Sequence, residues 1–347
     1  MIFALLAQKV RIKRTSYKAN NDNKNVVISA FFVLFVLLLS LRGQYCGNDT
    51  LGYITFFEQA GYLSWDALLL SDLEVAYLVL EKLCAYLFTS PQIFLTVVAC
   101  ISVVPIWMMY RKYSMMPLLV ISLFLTVAPF TMYFSGLRQI IAMAFIYPAF
   151  EAAKRRRLIV FLLITAIAFL FHKSAFIMLL MYPVCRFKIT FKWLWFVVPV
   201  IVLIFVFNTQ IFGFLLFYLN DIYDGTIVST GAYTILILLI LFTAYCFIIP
   251  DETKLDSDTL MMRNILLLSV VIQCFAPLNP LSMRLNYYFL LFVPLLIPRI
   301  ASNPLPLFQD TAAVSHKIMV VFFYIYFFAN LVSGGGLNIY PYTSFWA

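Results

Sequence analysis

Residues 158–185 read LIVFLLITAIAFLF-HKS-AFIMLLMYPVC, with Lys154-Arg155-Arg156-Arg157 before them and Arg186 after. The run is apolar except at His172-Lys173-Ser174. A helix needs about 20 residues to cross a roughly 30 Å hydrocarbon core. The interruption therefore predicts two short helices, 158–171 and 174–185, meeting at a polar break. At 1.5 Å per residue the first is about 21 Å long. A charged break between two apolar half-helices, flanked by basic residues, is the pattern of a membrane segment with something to do at its break.

Composition extends this reading to the whole chain. Of 347 residues, 64% are hydrophobic and 11% are charged, against about 25% charged in a soluble domain. That excludes a water-soluble enzyme, a disordered protein and a nucleic-acid binder. The net charge of +9 sits in short basic clusters between apolar runs, which marks membrane topology rather than affinity for DNA. Alternating ten-residue strands, the sign of an outer-membrane barrel, are absent. Further apolar segments lie at 26–41, 92–110, 116–134, 138–153, 192–212, 232–250, 264–279, 285–298 and 318–333. The expectation is an all-α polytopic protein with about eleven crossings, several of them short or broken.

Segment 73–90 decides the direction of the rest. It carries Glu74, Glu81 and Lys82, with Glu74, Tyr77 and Glu81 on one helical face. If it lies on the outer surface as an amphipathic helix, nineteen of the 24 Lys and Arg residues fall on one side. The excess of basic residues then marks that side as cytoplasmic. The predicted organisation is a basic cytoplasmic tail over 1–25 and one transmembrane domain over 26–333. An outer loop, 42–91, holds the amphipathic helix, and a tail over 334–347 lies outside. The glutamates of that helix are expected on its wet face, the inner loop 251–258 as a solvated connector, and His316 in an inner loop. The basic N-terminal stretch does not read as a cleavable signal. Five of the six cysteines sit in apolar segments as small hydrophobes, and Cys46 has no evident partner. With two histidines and no C-x-x-C pair, neither a metal nor a cofactor is expected.

The basic residues that break the topology rule are the informative ones. Arg42, Arg138, Lys173 and Arg284 face outward at helix ends or breaks, with Asp49 and His172 on the same side. An ionisable group in a membrane helix costs at least about 2.5–3.5 kcal/mol and usually serves a site. Snorkelling to outer headgroups is the alternative for each cation. Asp49, within Asn48-Asp49-Thr50, either caps the next helix or acts as a general base. Phe134-Ser135-Gly136-Leu137-Arg138-Gln139 opens a helix beside an arginine, an arrangement suited to phosphate. His172 is either a core histidine or a proton relay and phosphate donor. Tyr288, after Arg284, is either part of the site or an interface aromatic. Several guanidinium groups at one outer cavity call for a multiply charged anion, and a membrane-anchored diphosphate fits.

Leu41-Arg42 with Cys46-Gly47-Asn48-Asp49-Thr50 and Tyr53, then Phe134 to Gln139, Phe171-His172-Lys173-Ser174-Ala175, Arg284 with Tyr287-Tyr288-Phe289, and Tyr340-Pro341-Tyr342 follow one another along the chain. This ordered set resembles the EpsG-type branch of the Wzy polysaccharide polymerases. The resemblance implies a polymerase of O-antigen, capsule or exopolysaccharide repeat units at the outer face of the bacterial inner membrane, with a plan similar to the GT-C glycosyltransferases. It implies undecaprenyl-diphosphate-linked oligosaccharide as substrate, with membrane lipids, a chain-length regulator and a flippase as partners. By the same resemblance, Asp49, His172 and Arg138 are the catalytic residues, and Arg42, Gln139, Lys173, Arg284 and Tyr288 bind substrate. A flippase for the same lipid-linked sugars is the competing reading. An acyltransferase and a structural subunit of a synthesis complex are more distant ones.

Overall fold

The computed structural model describes residues 21–219, 233–334 and 338–346. Most of the basic N-terminal tail lies outside them. The described residues form helices and turns, with two isolated β-bridges and no strand. Three helices are long and apolar enough to cross a membrane: α1 (Asn21–Ser40), α5 (Pro91–Tyr113), and the last helix from Pro306 to Val332. Between α1 and α5 come α2 (Thr50–Ala60), the five-residue α3 (Trp65–Leu69) and α4 (Val75–Leu87).

Among the described residues, several of the expected spans are short or broken, two of them at prolines. The segment 138–153 is two helices, α7 (Leu137–Ala144) and α8 (Ile146–Lys154), which follow α6 (Pro117–Thr126). Pro148 lacks the N–H that would bond the Ala144 carbonyl, so the ladder breaks at Phe145. Pro294 does the same to the Leu290 carbonyl, between α15 (Pro280–Leu290) and α16 (Val293–Ala301). The expected span 192–212 is bent by 73° between Val206 and Asn208. The run quoted first breaks where its charges fall. Helix α9 (Leu158–Phe171) stops at His172, whose φ of −160° and ψ of 124° are extended, and Lys173–Leu180 continues as a 3₁₀ turn. Gln309–Val332 is one helix, α17, so His316 lies within it and not in a loop.

The bundle has two polar ends. At one, Lys112 pairs with Glu151 (2.5 Å), Lys154 with Asp258 (2.6 Å) and Arg299 with Asp256 (2.5 Å). There the buried Arg263 is held by both oxygens of Glu252 and by the Ile189 carbonyl. Loop 251–258 is exposed at Thr253, Lys254, Asp256 and Ser257, as a solvated connector would be, and it also anchors basic residues through Glu252, Asp256 and Asp258. Cations outside the loop claim Glu252, Asp256 and Asp258, while Asp251 pairs locally with Lys254. Helix α5 runs from this end, at Lys112, to the other, where Gln92 donates to the carbonyls of Ser40 and Arg42. Near that second end an aromatic cluster locks the turn before α7, with Phe35 5.0 Å from Phe130 and 5.2 Å from Tyr133, centroid to centroid.

Helix α4 turns its faces the opposite way from expectation. Val75, Val79, Leu83 and Leu87 form its exposed stripe, while Tyr77, Glu81 and Cys84 are buried. The expected wet face of Glu74 and Glu81 is thus the inner face. An outward apolar stripe suits lipid, and the polar groups turn inward, where Glu74 and Tyr77 find partners. Lys82 closes the end of α2 by donating to the carbonyls of Ala60, Gly61 and Leu63, the last-turn position where a cation is favoured.

Candidate functional site

Three loops and one helix start meet at the end opposite the basic anchors. Loop 42–50 is pressed onto the turn before α7. Thr50 Oγ1 donates to the carbonyls of Cys46 (2.8 Å) and Phe134 (3.0 Å), and Ser135 Oγ accepts from the Asn48 N–H (3.0 Å). Gly47 makes the approach possible. Its φ is +95°, and a Cβ there would stand 2.0 Å from the Phe134 oxygen. Residues 338–346 strap across the same loop. Gly43 N–H donates to Thr343 O (2.8 Å), Gly47 N–H to Asn338 O (3.1 Å) and Phe345 N–H to Leu41 O (3.0 Å).

The centre of the site is Glu74, the residue before α4. Its Oε2 accepts from Arg138 Nη1 at 2.5 Å. Its Oε1 lies 2.7 Å from His172 Nδ1 and accepts the Lys173 N–H at 3.1 Å. Glu74 is 8% exposed. Burial alone would raise its pKa, but the hydrogen bonds and charges of His172 and then Arg138 hold it down at about 2. The Tyr53 hydroxyl on α2 lies close enough to the Arg138 guanidinium to interact with it electrostatically. Beneath, Glu81 is fully buried, accepts a 3.3 Å bond from Tyr77 Oη, and has an Oε2 with no partner. Burial pushes Glu81 up to about 8, against smaller opposing effects of Tyr77 and Arg138. Two carboxylates on one helical face thus differ: the partners of Glu74 favour its ionised form, and burial favours the protonated form of Glu81.

The expected site residues divide by what they touch. Arg138 and His172 meet through Glu74. Arg138 keeps its Nε without a partner and a side chain 26% exposed. Lys173 contributes its backbone N–H and leaves its side chain outside. Asp49 stands at the N-cap of α2 but its carboxylate makes no cap bond. It is exposed, and its charge is felt by Tyr53. Arg42 is 1% exposed, donates one 3.4 Å bond to the Tyr133 carbonyl, and leaves Nε and Nη2 without partners. Its guanidinium also lies 5.9 Å from the Phe134 ring centroid. Gln139 is buried and donates to the Arg284 carbonyl at 2.7 Å, so α7 and α15 adjoin at this end. The Arg284 side chain is exposed. Tyr288 is buried with its hydroxyl 2.9 Å from Ser174 Oγ.

Sequence reasoning assigned Glu74 to a wet face and quoted Tyr53 only within the ordered motif set, and placed neither in the site. The signal for Glu74 was present: an acid in an otherwise apolar helical segment is costly unless a cation answers it. Among the described residues no three His, Cys, Asp or Glu side chains gather to hold a metal. The arrangement offers a guanidinium with free donors, an oriented imidazole and a carboxylate that fixes both.

Compared with known proteins, the chain matches the family model described as the EpsG family over residues 25–344. No curated protein and no solved structure matches it.

Proposed function

Because the chain belongs to the EpsG family, we propose that it is a polysaccharide polymerase that joins undecaprenyl-diphosphate-linked oligosaccharide units at the outer face of the bacterial inner membrane. The observation that carries this reading is the Arg138–Glu74–His172 cluster, drawn from three distant segments to the bundle end opposite the basic anchors. A sugar hydroxyl of one unit attacks the anomeric carbon of another chain. The bond from that carbon to the diphosphate breaks, the lipid diphosphate leaves with the electron pair, and the hydroxyl proton passes to a base. Arg138, with the exposed Arg284 and the buried Arg42, answers the charge that develops on the leaving group. The lipid tail stays between the helices while the head reaches the site.

A flippase would need charged groups spread through the depth of the bundle. Among the described residues the buried charged side chains are Arg42, Glu74, Glu81, Arg263 and Arg299. They gather toward the two ends. The buried network of Ser269, Gln273 and Asn286 is uncharged. This distribution favours one-sided chemistry over passage. The test is purified protein incubated with a lipid-diphosphate oligosaccharide and scored on a gel. A ladder of lengthened products supports polymerisation; lipid-linked sugar moved across a vesicle membrane without lengthening supports the flippase.

A further inference from the structure

Glu74 has no assigned part in the transfer above, although it is the most fully engaged carboxylate in the site. One oxygen is taken by Arg138, and the other by His172 Nδ1 and the Lys173 N–H. We propose that Glu74 is a positioning residue that fixes His172 as the Nδ1-protonated tautomer, so that the opposite ring nitrogen, Nε2, accepts the proton of the attacking sugar hydroxyl. This rests on the polymerase reading and names its proton acceptor.

A carboxylate accepts and cannot donate, so the proton on the 2.7 Å contact belongs to the ring. In the neutral imidazole Nε2 then carries the free lone pair. His172 sits at an extended break between α9 and a 3₁₀ turn, so its ring is aimed by Glu74 rather than by a helix. The competing acids are poorly placed for the task. Glu74 is itself held as a weak base by its cations. The Asp49 carboxylate is exposed at the start of α2 with no bond to orient it. The ionisable groups on the surrounding elements are Tyr53 from α2, Glu74, Tyr77 and Glu81 from the α4 segment, Arg138 from α7, Arg284, Tyr287 and Tyr288 from α15, and the adjacent Lys173. In the transfer, the sugar oxygen bonds to the anomeric carbon as its proton moves to Nε2. The imidazolium so formed is paired with Glu74, and the diphosphate leaves toward Arg138. One carboxylate thereby sets the spacing between the atom that takes the proton and the group that receives the leaving charge.

Two measurements decide the matter. The first is the pH dependence of ladder formation by wild type, Glu74→Gln and His172→Ala. A base at His172 gives wild type an acid limb, and His172→Ala loses it along with about 10²–10⁴-fold in rate. Removing the neighbouring negative charge disfavours the imidazolium, so Glu74→Gln moves the acid limb to lower pH. A slower Glu74→Gln with its limb unmoved would assign Glu74 to Arg138 alone and overturn the proposal. The second needs no substitution at the site. The chain has two histidines, so ¹⁵N-histidine labelling, with His316→Gln to remove the other signal, reads the His172 tautomer directly. In its neutral form His172 is expected to carry the proton on Nδ1, and a neutral ring protonated on Nε2 would sink the idea even if Glu74→Gln failed to fold. Absence of any ladder from wild type would instead strike at the polymerase reading.

Discussion

Nδ1 of His172 lies 2.7 Å from Oε1 of Glu74, across 98 residues of sequence. The contact ties the break in α9 to the start of α4, and the other oxygen of Glu74 ties both to Arg138 at the start of α7. Positions that are unremarkable one at a time become a guanidinium and an imidazole held by one buried carboxylate. An unanswered charge in that environment would be costly, so each of the three depends on the other two.

Arg138→Ala should leave the protein in the membrane and abolish polymer. Loss of one preorganised charge donor typically costs about 10²–10³-fold in rate. Long-chain polysaccharide of normal length and amount, at matched protein levels, would count against the role given to Arg138.

Arg284 is exposed, so Arg284→Ala should separate function from folding. Its thermal midpoint in detergent is expected to match wild type, since surface changes usually stay within about 0.5 kcal/mol, while polymerisation falls. A lowered midpoint with unchanged turnover would make Arg284 structural.

Gly47→Ala should fail through its backbone. The left-handed conformation costs a side-chain-bearing residue about 1–2 kcal/mol, and the new Cβ would collide with the Phe134 carbonyl. Loop 42–50 must then lift from the turn before α7. The expected result is a lower thermal midpoint together with loss of polymer. A variant as stable as wild type would show that the loop is not seated as described.

Glu81 supplies a pH signature. Its carboxyl titrates near 4.5 when unfolded and near 8 in the folded protein, raised chiefly by burial. The folded state therefore holds a proton that the unfolded state has lost, and stability falls as pH rises from about 4.5 to about 8. Glu81→Gln removes that dependence, so its thermal midpoint should exceed that of wild type by more at about pH 8 than at about pH 5. Equal differences at both values would place Glu81 in contact with water.

The opposite end offers a purely structural contrast. Arg263 is buried against Glu252 and Phe247. Glu252→Ala leaves that cation unanswered and should lower stability by about 2–3 kcal/mol, below the full cost of breaking a buried pair because Glu252 is partly exposed. Polymer made by the surviving protein should be normal. Altered product length with unchanged stability would contradict the division between the two ends.

Much of this was legible in the sequence, and what was not has physical reasons. The break at His172-Lys173 could be read because a charge inside an apolar run is too costly to sit there without a use. The helix start within Phe134 to Gln139 could be read because Gly136 breaks the chain before the apolar run that begins at Leu137. Pro148 and Pro294 mark where apolar segments break, yet apolarity alone counts such segments as spans. Glu74 was hidden because assigning the polar face of α4 to water presumes water on that side. The exposed stripe of α4 is apolar instead, and the partners of Glu74 come from α7 and the end of α9. The same holds for Asp256 and Asp258, whose cations lie far away in sequence and turn an acidic loop into a clamp.

The central claim is that the Arg138 end of this bundle drives sugar-bond formation with departure of a lipid diphosphate. Its most direct test counts lipid diphosphate released against glycosidic bonds formed by the purified protein and by Arg138→Ala. The account predicts one diphosphate released per bond in wild type and neither product above background in the variant. Bond formation without diphosphate release, or equal release by Arg138→Ala, would contradict it.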